Sequence, residues 1–218
     1  MAEFVLHGII GSPYVRAALL GLEEKGCDYR IAGLGMGDHK KAEHLRRHPF
    51  GRIPALDHGD FQLYETQAIL RYLDRIVPAP ALTPTDARAE ARMNQVIGIT
   101  DWYVINDISS PIVFQRVVAP HFGLPVDEAR LAAALPRAKV CIDELARLLG
   151  DQPYMAGDAV SLADLVLGAH MAIVPAAPEG AALLAPHANL RAWIDRMNER
   201  PSFRATEPDK ARARLLAA

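Results

Sequence analysis

Apolar positions along the chain follow two different patterns, one in each half. In the first half, short apolar runs alternate with helical stripes. Residues 3–8 (EFVLHG) predict a strand, and after IIGSP a helical pattern covers 14–25 until Gly26 stops it. Residues 29–32 read as a weaker strand, followed by a glycine-punctuated loop (GLGMGDHK) and a short charged helical stretch at 43–47. Two compact strands, 53–56 and 61–64, flank DHGD, an Asp/Gly turn of the kind that joins antiparallel neighbours. A helix over 66–76 completes a β-α-β-α-β-β-α order. That unit is too compact for a dinucleotide-binding domain, and it carries neither a glycine fingerprint nor a phosphate-loop lysine motif.

The proline-rich stretch VPAPALTP then breaks the pattern, since proline cannot continue a helix, and beyond it strand signals vanish. Met93, Val96, Ile97, Thr100, Val104 and Ile108 recur at three- and four-residue spacing and predict a long helix over 86–108. Leu131, Leu135, Ala138, Cys141, Ile142, Leu145 and Leu149 repeat the stripe over 131–149, ending at Gly150. SLADL opens a third helix, with Ser161 as cap, Asp164 reaching back to its amide, and Val160 and Leu165 placed as a hydrophobic staple. A last helix over 189–199 stops before Pro201. The expected fold class is therefore α/β followed by all-α: a small sheet domain over 1–77, a linker over 78–85 and a helical-bundle domain over 86–218.

Composition narrows the function classes. A chain of 218 residues, 50% hydrophobic and 23% charged, can bury a sizeable core and is not disordered in bulk. With 24 Lys+Arg against 26 Asp+Glu the net charge is -2, so there is no general attraction to phosphate backbones or anionic lipid. Neither a nucleic-acid nor a membrane partner is expected. Cys27 and Cys141 form no disulfide framework and no metal-ligand spacing, which suits a reducing cytoplasm. The start MAEFVLHGII has no basic region, and the apolar stretch after Ser161 is interrupted by Asp164 and His170, so no export signal or membrane helix is expected. His39, His44 and His48 lack an accompanying cysteine, and no metal is expected. His7 and His121 read as structural.

Four short segments carry candidate chemistry. Ser12-Pro13 fits a plain helix cap with proline at the first helical position; the same geometry leaves free amides and the positive helix end beside a hydroxyl, an environment that stabilises a thiolate. In HPFGRIPAL, Ile53-Pro54 stands at a strand entrance, either as an ordinary turn proline or with a cis bond that exposes the Ile53 backbone to an extended, peptide-like ligand. In YET, Thr66 can cap the next helix, whose amides suit a carboxylate while Glu65 suits an ammonium, so the pair matches the zwitterionic end of an α-amino acid. A capped helix beside a solvated glutamate fits as well. His39-Lys40 offers two cations for a second carboxylate, or a merely solvated pair.

Taken in order, SPYVRAALLGLEEKG, GDHKKAEHL, HPFGRIPAL, YETQAILRYL and YMAGDAVSLADL resemble a cytosolic glutathione S-transferase, most closely the phi class and its bacterial relatives, over nearly the whole chain. The resemblance implies a thioredoxin-like first domain that binds glutathione and a helical second domain that completes an apolar site for an electrophile. It also implies a cytoplasmic homodimer acting in detoxification, with glutathione as substrate and no metal. Carried over by position, Ser12 hydrogen-bonds the glutathione sulfur and favours its thiolate. His39 and Lys40 meet the glycine carboxylate, the Ile53 backbone before Pro54 pairs with the cysteinyl amide, and Glu65 with Thr66 holds the γ-glutamyl end. The sequence departs from the phi pattern at Arg52, where glutamine is usual, at His48, where asparagine is usual, and at Thr66, which replaces serine but keeps the hydroxyl; Arg52 is retained among the glutathione-binding candidates. At about 100° per residue, Trp102, Ile105 and Ser109 fall opposite the core stripe and, with Pro13, form the candidate electrophile site. Packing of Trp102 against another helix or subunit is an equal reading. Beside the transferase stand a glutathione-binding or interaction module with little turnover and a glutathione-dependent isomerase or dehalogenase; intact Ser12, Lys40, Glu65 and Thr66 favour the transferase.

Overall fold

A computed structural model describes residues 3–217, with side chains described through Leu215. The chain clusters into two units, one running to Leu82 and resumed from Glu199 onward, the other spanning Thr83–Asn198. The reading of 86–218 as one helical block did not contain that return.

In the first unit four strands form a mixed sheet in the order β2-β1-β3-β4. β1 (Phe4–Gly8) lies parallel to β2 (Tyr29–Gly33) across helix α1 (Pro13–Glu24). β3 (Ala55–His58) and β4 (Phe61–Tyr64) form an antiparallel hairpin on the other side of β1. Helices α2 (Ala42–Leu45) and α3 (Thr66–Ile76) complete the thioredoxin-like order expected from the sequence. Alternation along the strands sends Phe4, Leu6, Ile31 and Leu56 into a core shared with Val15, Ala18, Leu19 and Leu22 of α1 and Ile69 and Leu73 of α3. Helices α1 and α3 approach so closely at Gly21 that a Cβ there would come within 2.5 Å of Leu70 Cδ2.

The end of the chain belongs to this unit for a physical reason. Ala211 joins the sheet core, and Leu215 packs over Gly33 where any side chain would collide with it. Arg200 pairs with Glu24 at 2.8 Å, and Arg214 pairs with Glu23 at 2.6 Å while lying over the Tyr29 ring.

The second unit is helical. α4 (Ala87–Ile99) continues without interruption into wider, i→i+5 turns over Thr100–Val118, closed by α5 (Ala119–His121), where the Ala119 amide bonds Phe114 O. Pro111 lies within the widened stretch and contributes no amide to it. The stripe read from the sequence is buried throughout: Met93, Val96, Ile97, Thr100, Val104 and Ile108, followed by Ile112. α6 (Glu128–Leu149) packs along it. α7 (Leu162–Met171) is buried at every residue, as a central helix must be when others surround it. The remaining helices are α8 (Pro178–Leu184), α9 (Ala188–Glu199), α10 (Pro201–Ala205) and α11 (Pro208–Ala217), the last two in the sheet unit. The cap read at SLADL is a reciprocal capping box, and Asp164 also accepts from Met155 N and Trp193 Nε1, each at 2.9 Å. No single helix among the described residues is long and apolar enough to cross a membrane.

Candidate active site

Strand register decides which loops meet. His7 of β1 faces Ala55 of β3, and Ala55 faces Tyr64 of β4. The last residues of β1, the first of β3 and the last of β4 therefore share one end of the sheet. Ser12 follows β1, Ile53-Pro54 precedes β3, and Glu65-Thr66 follows β4, so three segments scattered over 55 positions of sequence emerge together. Gly51 brings in the fourth: a Cβ placed on it would lie 3.4 Å from His39 O and 4.0 Å from Lys40 Cγ.

Ser12 is the N-cap of α1, extended at φ -69° and ψ 128°, with Pro13 as the first helical residue. Its Oγ accepts from Val15 N at 3.5 Å, a long bond for an amide donor, and the half-buried hydroxyl keeps its own hydrogen for another acceptor. The Ile53–Pro54 peptide is cis, and Ile53 lies outside the strand pairing.

Glu65 is exposed and adopts φ 71° and ψ 116°, the one positive φ at a non-glycine among the described residues. A side chain in that region is strained, and such strain persists where surrounding structure imposes it. The cap expected of Thr66 is corrected here: Glu65 occupies the N-cap position without a side-chain capping bond, and Thr66 is the buried first residue of α3. The first amides of that helix thus stand at this end of the sheet without a cap from Glu65.

His39 is half-buried in a short 3-10 turn, Asp38–Lys40, and its Nδ1 is sealed from solvent without a hydrogen-bond partner. Asp38 is engaged by Lys41 at 2.6 Å and Gly35 N at 2.8 Å, leaving Lys40 exposed and outside any ion pair among the described residues. Arg52 also projects to solvent, while its carbonyl is bonded to His44 Nε2 at 2.7 Å. His48 is only 2% exposed, 4.6 Å from the Tyr64 ring, and burial lowers its pKa against the opposing pull of Glu65. The sequence reading weighed His44 only as a metal candidate. Its place one helical turn before His48 was the available signal that the two rings buttress the HPFG loop. No group of three or more His, Cys, Asp or Glu among the described residues is arranged to hold a metal ion.

Within the helical unit, Ser109 does not share a face with Trp102 and Ile105. Pro13 lies in the sheet unit and the other three in the helical unit. Trp102 is 72% exposed and Ile105 half-buried, but Ser109 is buried and its Oγ lies 2.9 Å from His170 Nδ1 of α7. The wide turns beyond Ile99 place more residues in each turn, so a projection at about 100° per residue loses its phase before Ser109. Ser109 belongs to the interior of the helical unit.

Residues 2–75 match the glutathione S-transferase N-terminal domain, and residues 105–201 match the C-terminal domain of the same family. A probable glutathione S-transferase of Oryza sativa subsp. japonica is 33% identical over 205 residues, covering 93% of this chain and 94% of that one. The chain belongs to the glutathione S-transferase family. Glutathione S-transferase 1 of Zea mays is also 33% identical, over 204 residues, with the same coverage of both chains. Among solved structures, glutathione S-transferase I from maize in complex with an atrazine glutathione conjugate aligns at a TM-score of 0.82 and 30% identity, covering 100% of both chains. A glutathione S-transferase I bound with lactoylglutathione aligns at 0.83 and 30% identity, covering 94% of this chain and 98% of that one. These plant relatives are of the phi class, the class whose motifs the sequence carries.

Proposed function

We propose that the protein is a glutathione transferase in which Ser12 holds the sulfur of glutathione as a thiolate for attack on a small hydrophobic electrophile. The observation that carries this reading is the convergence of a serine hydroxyl with an unspent hydrogen, an unpaired strand entrance at Ile53 and a strained Glu65 at one end of the sheet. Donation from Ser12 Oγ and the positive end of α1 favour the anion over the thiol. The Ile53 backbone before Pro54 pairs with the cysteinyl amide. Glu65 takes the γ-glutamyl ammonium, and Thr66 with the uncapped amides of α3 takes the carboxylate beside it. His39 and Lys40 meet the glycine carboxylate, and the exposed guanidinium of Arg52, next to Gly51, adds a third cation at that end. The sulfur then forms a bond to an electrophilic carbon, whose leaving group departs with the electron pair. Positioning and a lowered thiol pKa supply the rate. Pro13, Trp102 and Ile105 remain the proposed contacts for the apolar partner.

The maize relative holds a glutathione conjugate, the product of such a reaction, which supports transfer as the activity. We further infer a cytoplasmic homodimer. The two free cysteines suit a reducing compartment, and exposed Phe50 and Phe61 leave apolar surface on the sheet unit for a second copy to cover.

The test is spectroscopic. Purified protein saturated with glutathione should show thiolate absorbance at neutral pH, and Ser12→Ala should abolish it while leaving glutathione affinity within about threefold. An alanine variant with unchanged absorbance and turnover would leave Ser12 as a helix cap alone.

A further inference from the structure

A buried histidine holds the peptide that precedes Ile53. His44 lies in α2, and its Nε2 stands 2.7 Å from Arg52 O. A carbonyl oxygen can only accept, so Nε2 carries the hydrogen in this contact. The residue is itself anchored: its own carbonyl accepts from Arg47 N and His48 N, each at 2.9 Å, and its ring stacks 6.2 Å from the buried ring of His48.

Arg52 O and Ile53 N belong to one planar peptide group. That peptide is trans, so its C=O and N–H point in opposite directions across the plane. Fixing the oxygen on His44 therefore fixes the direction of the Ile53 N–H and turns it away from the His44 ring. The Ile53 amide has no hydrogen-bond partner among the described residues, and Ile53 lies outside both ladders of β3. Arg52 is exposed, so without His44 the plane is free to turn its oxygen toward water. The chain thus holds a donor in a set direction and supplies nothing to accept from it.

We propose that His44 is a positioning residue for glutathione: by holding Arg52 O it aims the Ile53 N–H at the carbonyl of the ligand's cysteinyl residue. This rests on the reading of Ile53 as the backbone that meets that residue. His44 touches no part of the ligand and acts through the peptide plane.

The experiment measures by calorimetry the affinities of wild type, His44→Leu and His44→Gln for glutathione, γ-glutamylcysteine and γ-glutamylcysteamine. The second ligand lacks the glycine, and the third lacks the cysteinyl carbonyl as well. His44→Leu should weaken glutathione and γ-glutamylcysteine alike, by about fivefold for one misdirected hydrogen bond, and should leave γ-glutamylcysteamine unchanged. His44→Gln, whose amide nitrogen can stand in for Nε2, should restore both affinities. Equal weakening of all three ligands means general loosening of the site and overturns the proposal. Weakening of glutathione alone overturns it too, because the effect then runs through the glycine end, and so does a folded Leu variant with no change. If His44→Leu does not fold, nitrogen NMR of the wild-type ring decides: a hydrogen on Nε2 at mildly alkaline pH supports the proposal, and a ring protonated on Nδ1 alone overturns it. Wild type that binds γ-glutamylcysteamine as tightly as γ-glutamylcysteine refutes the Ile53 reading, a result separate from any difference among variants.

Discussion

Acidification should destabilise the helical unit through His170 before it protonates most carboxylates. His170 is wholly buried on α7, and its Nδ1 lies 2.9 Å from Ser109 Oγ. Burial depresses its pKa to about 3, against about 6.5 for an unperturbed histidine. The imidazole is therefore neutral in the native state across the range where the unfolded chain takes up a proton. Unfolding binds that proton between the two values, so the stabilisation is fully present above about pH 6.5 and is lost as pH falls toward 3. The slope is about 1.4 kcal/mol per pH unit, and over 3.5 units the loss approaches about 5 kcal/mol. Urea unfolding at half-unit steps from pH 6.5 to 4.5 reads it directly, with His170→Asn as control. Asparagine keeps a polar atom near the Nδ1 position but cannot take the proton. It should be less stable at pH 7, by about 2 kcal/mol for the lost ring, yet its stability should fall less steeply on acidification. The difference between the two curves should shrink by close to one proton's slope. Parallel curves would mean that His170 is not held neutral, and that its burial and its bond to Ser109 do not set the acid response.

Two further outcomes follow from the sheet unit. Glu65→Gly removes a side chain from a backbone region that costs about 1 kcal/mol or more, so the variant should gain about 1 kcal/mol in urea while binding glutathione about tenfold more weakly by calorimetry; a variant that loses stability would show that the Glu65 conformation is unstrained. Lys25→Met should cost about 3 kcal/mol, because the fully buried ammonium pairs with Asp74 at 2.5 Å and also bonds Pro80 O, and its loss takes the buried cation from a shielded carboxylate. A loss below about 1 kcal/mol would mean that water reaches Asp74.

What the sequence disclosed depended on how local each determinant was. The strand Phe61–Tyr64, the helix Thr66–Ile76 and the capping box at Ser161 and Asp164 were readable because a turn, a period or a three-residue spacing carries each of them. The meeting of Ser12, Ile53 and Glu65 has no local signature. It follows from which residues of β1, β3 and β4 stand opposite one another, so sequence alone offered four weak segments and their family resemblance. The return of the chain to the sheet was invisible for a related reason: Ala211 and Leu215 are two apolar positions in a charged helix, and only Gly33 and the sheet core explain them.

The misplacement of Ser109 has a more instructive cause. Val96, Thr100, Val104, Ile108 and Ile112 are all fully buried, and they recur at a strict interval of four. An ordinary α-helix, at 3.6 residues per turn, lets such a row drift around its axis, and the wider turns over Thr100–Val118 drift it the opposite way, so the row stays on one face across the junction. In the sequence that interval is masked by the mixed three-and-four spacing of an amphipathic α-helix, because Met93 and Ile97 begin the stripe in that phase. Pro111 marks a place where the ordinary ladder must fail without showing how the chain responds. Once the turns widen, Ser109 rotates inward to His170 while Trp102 stays in solvent, and a serine expected to face a ligand becomes part of a joint between the long helix and α7.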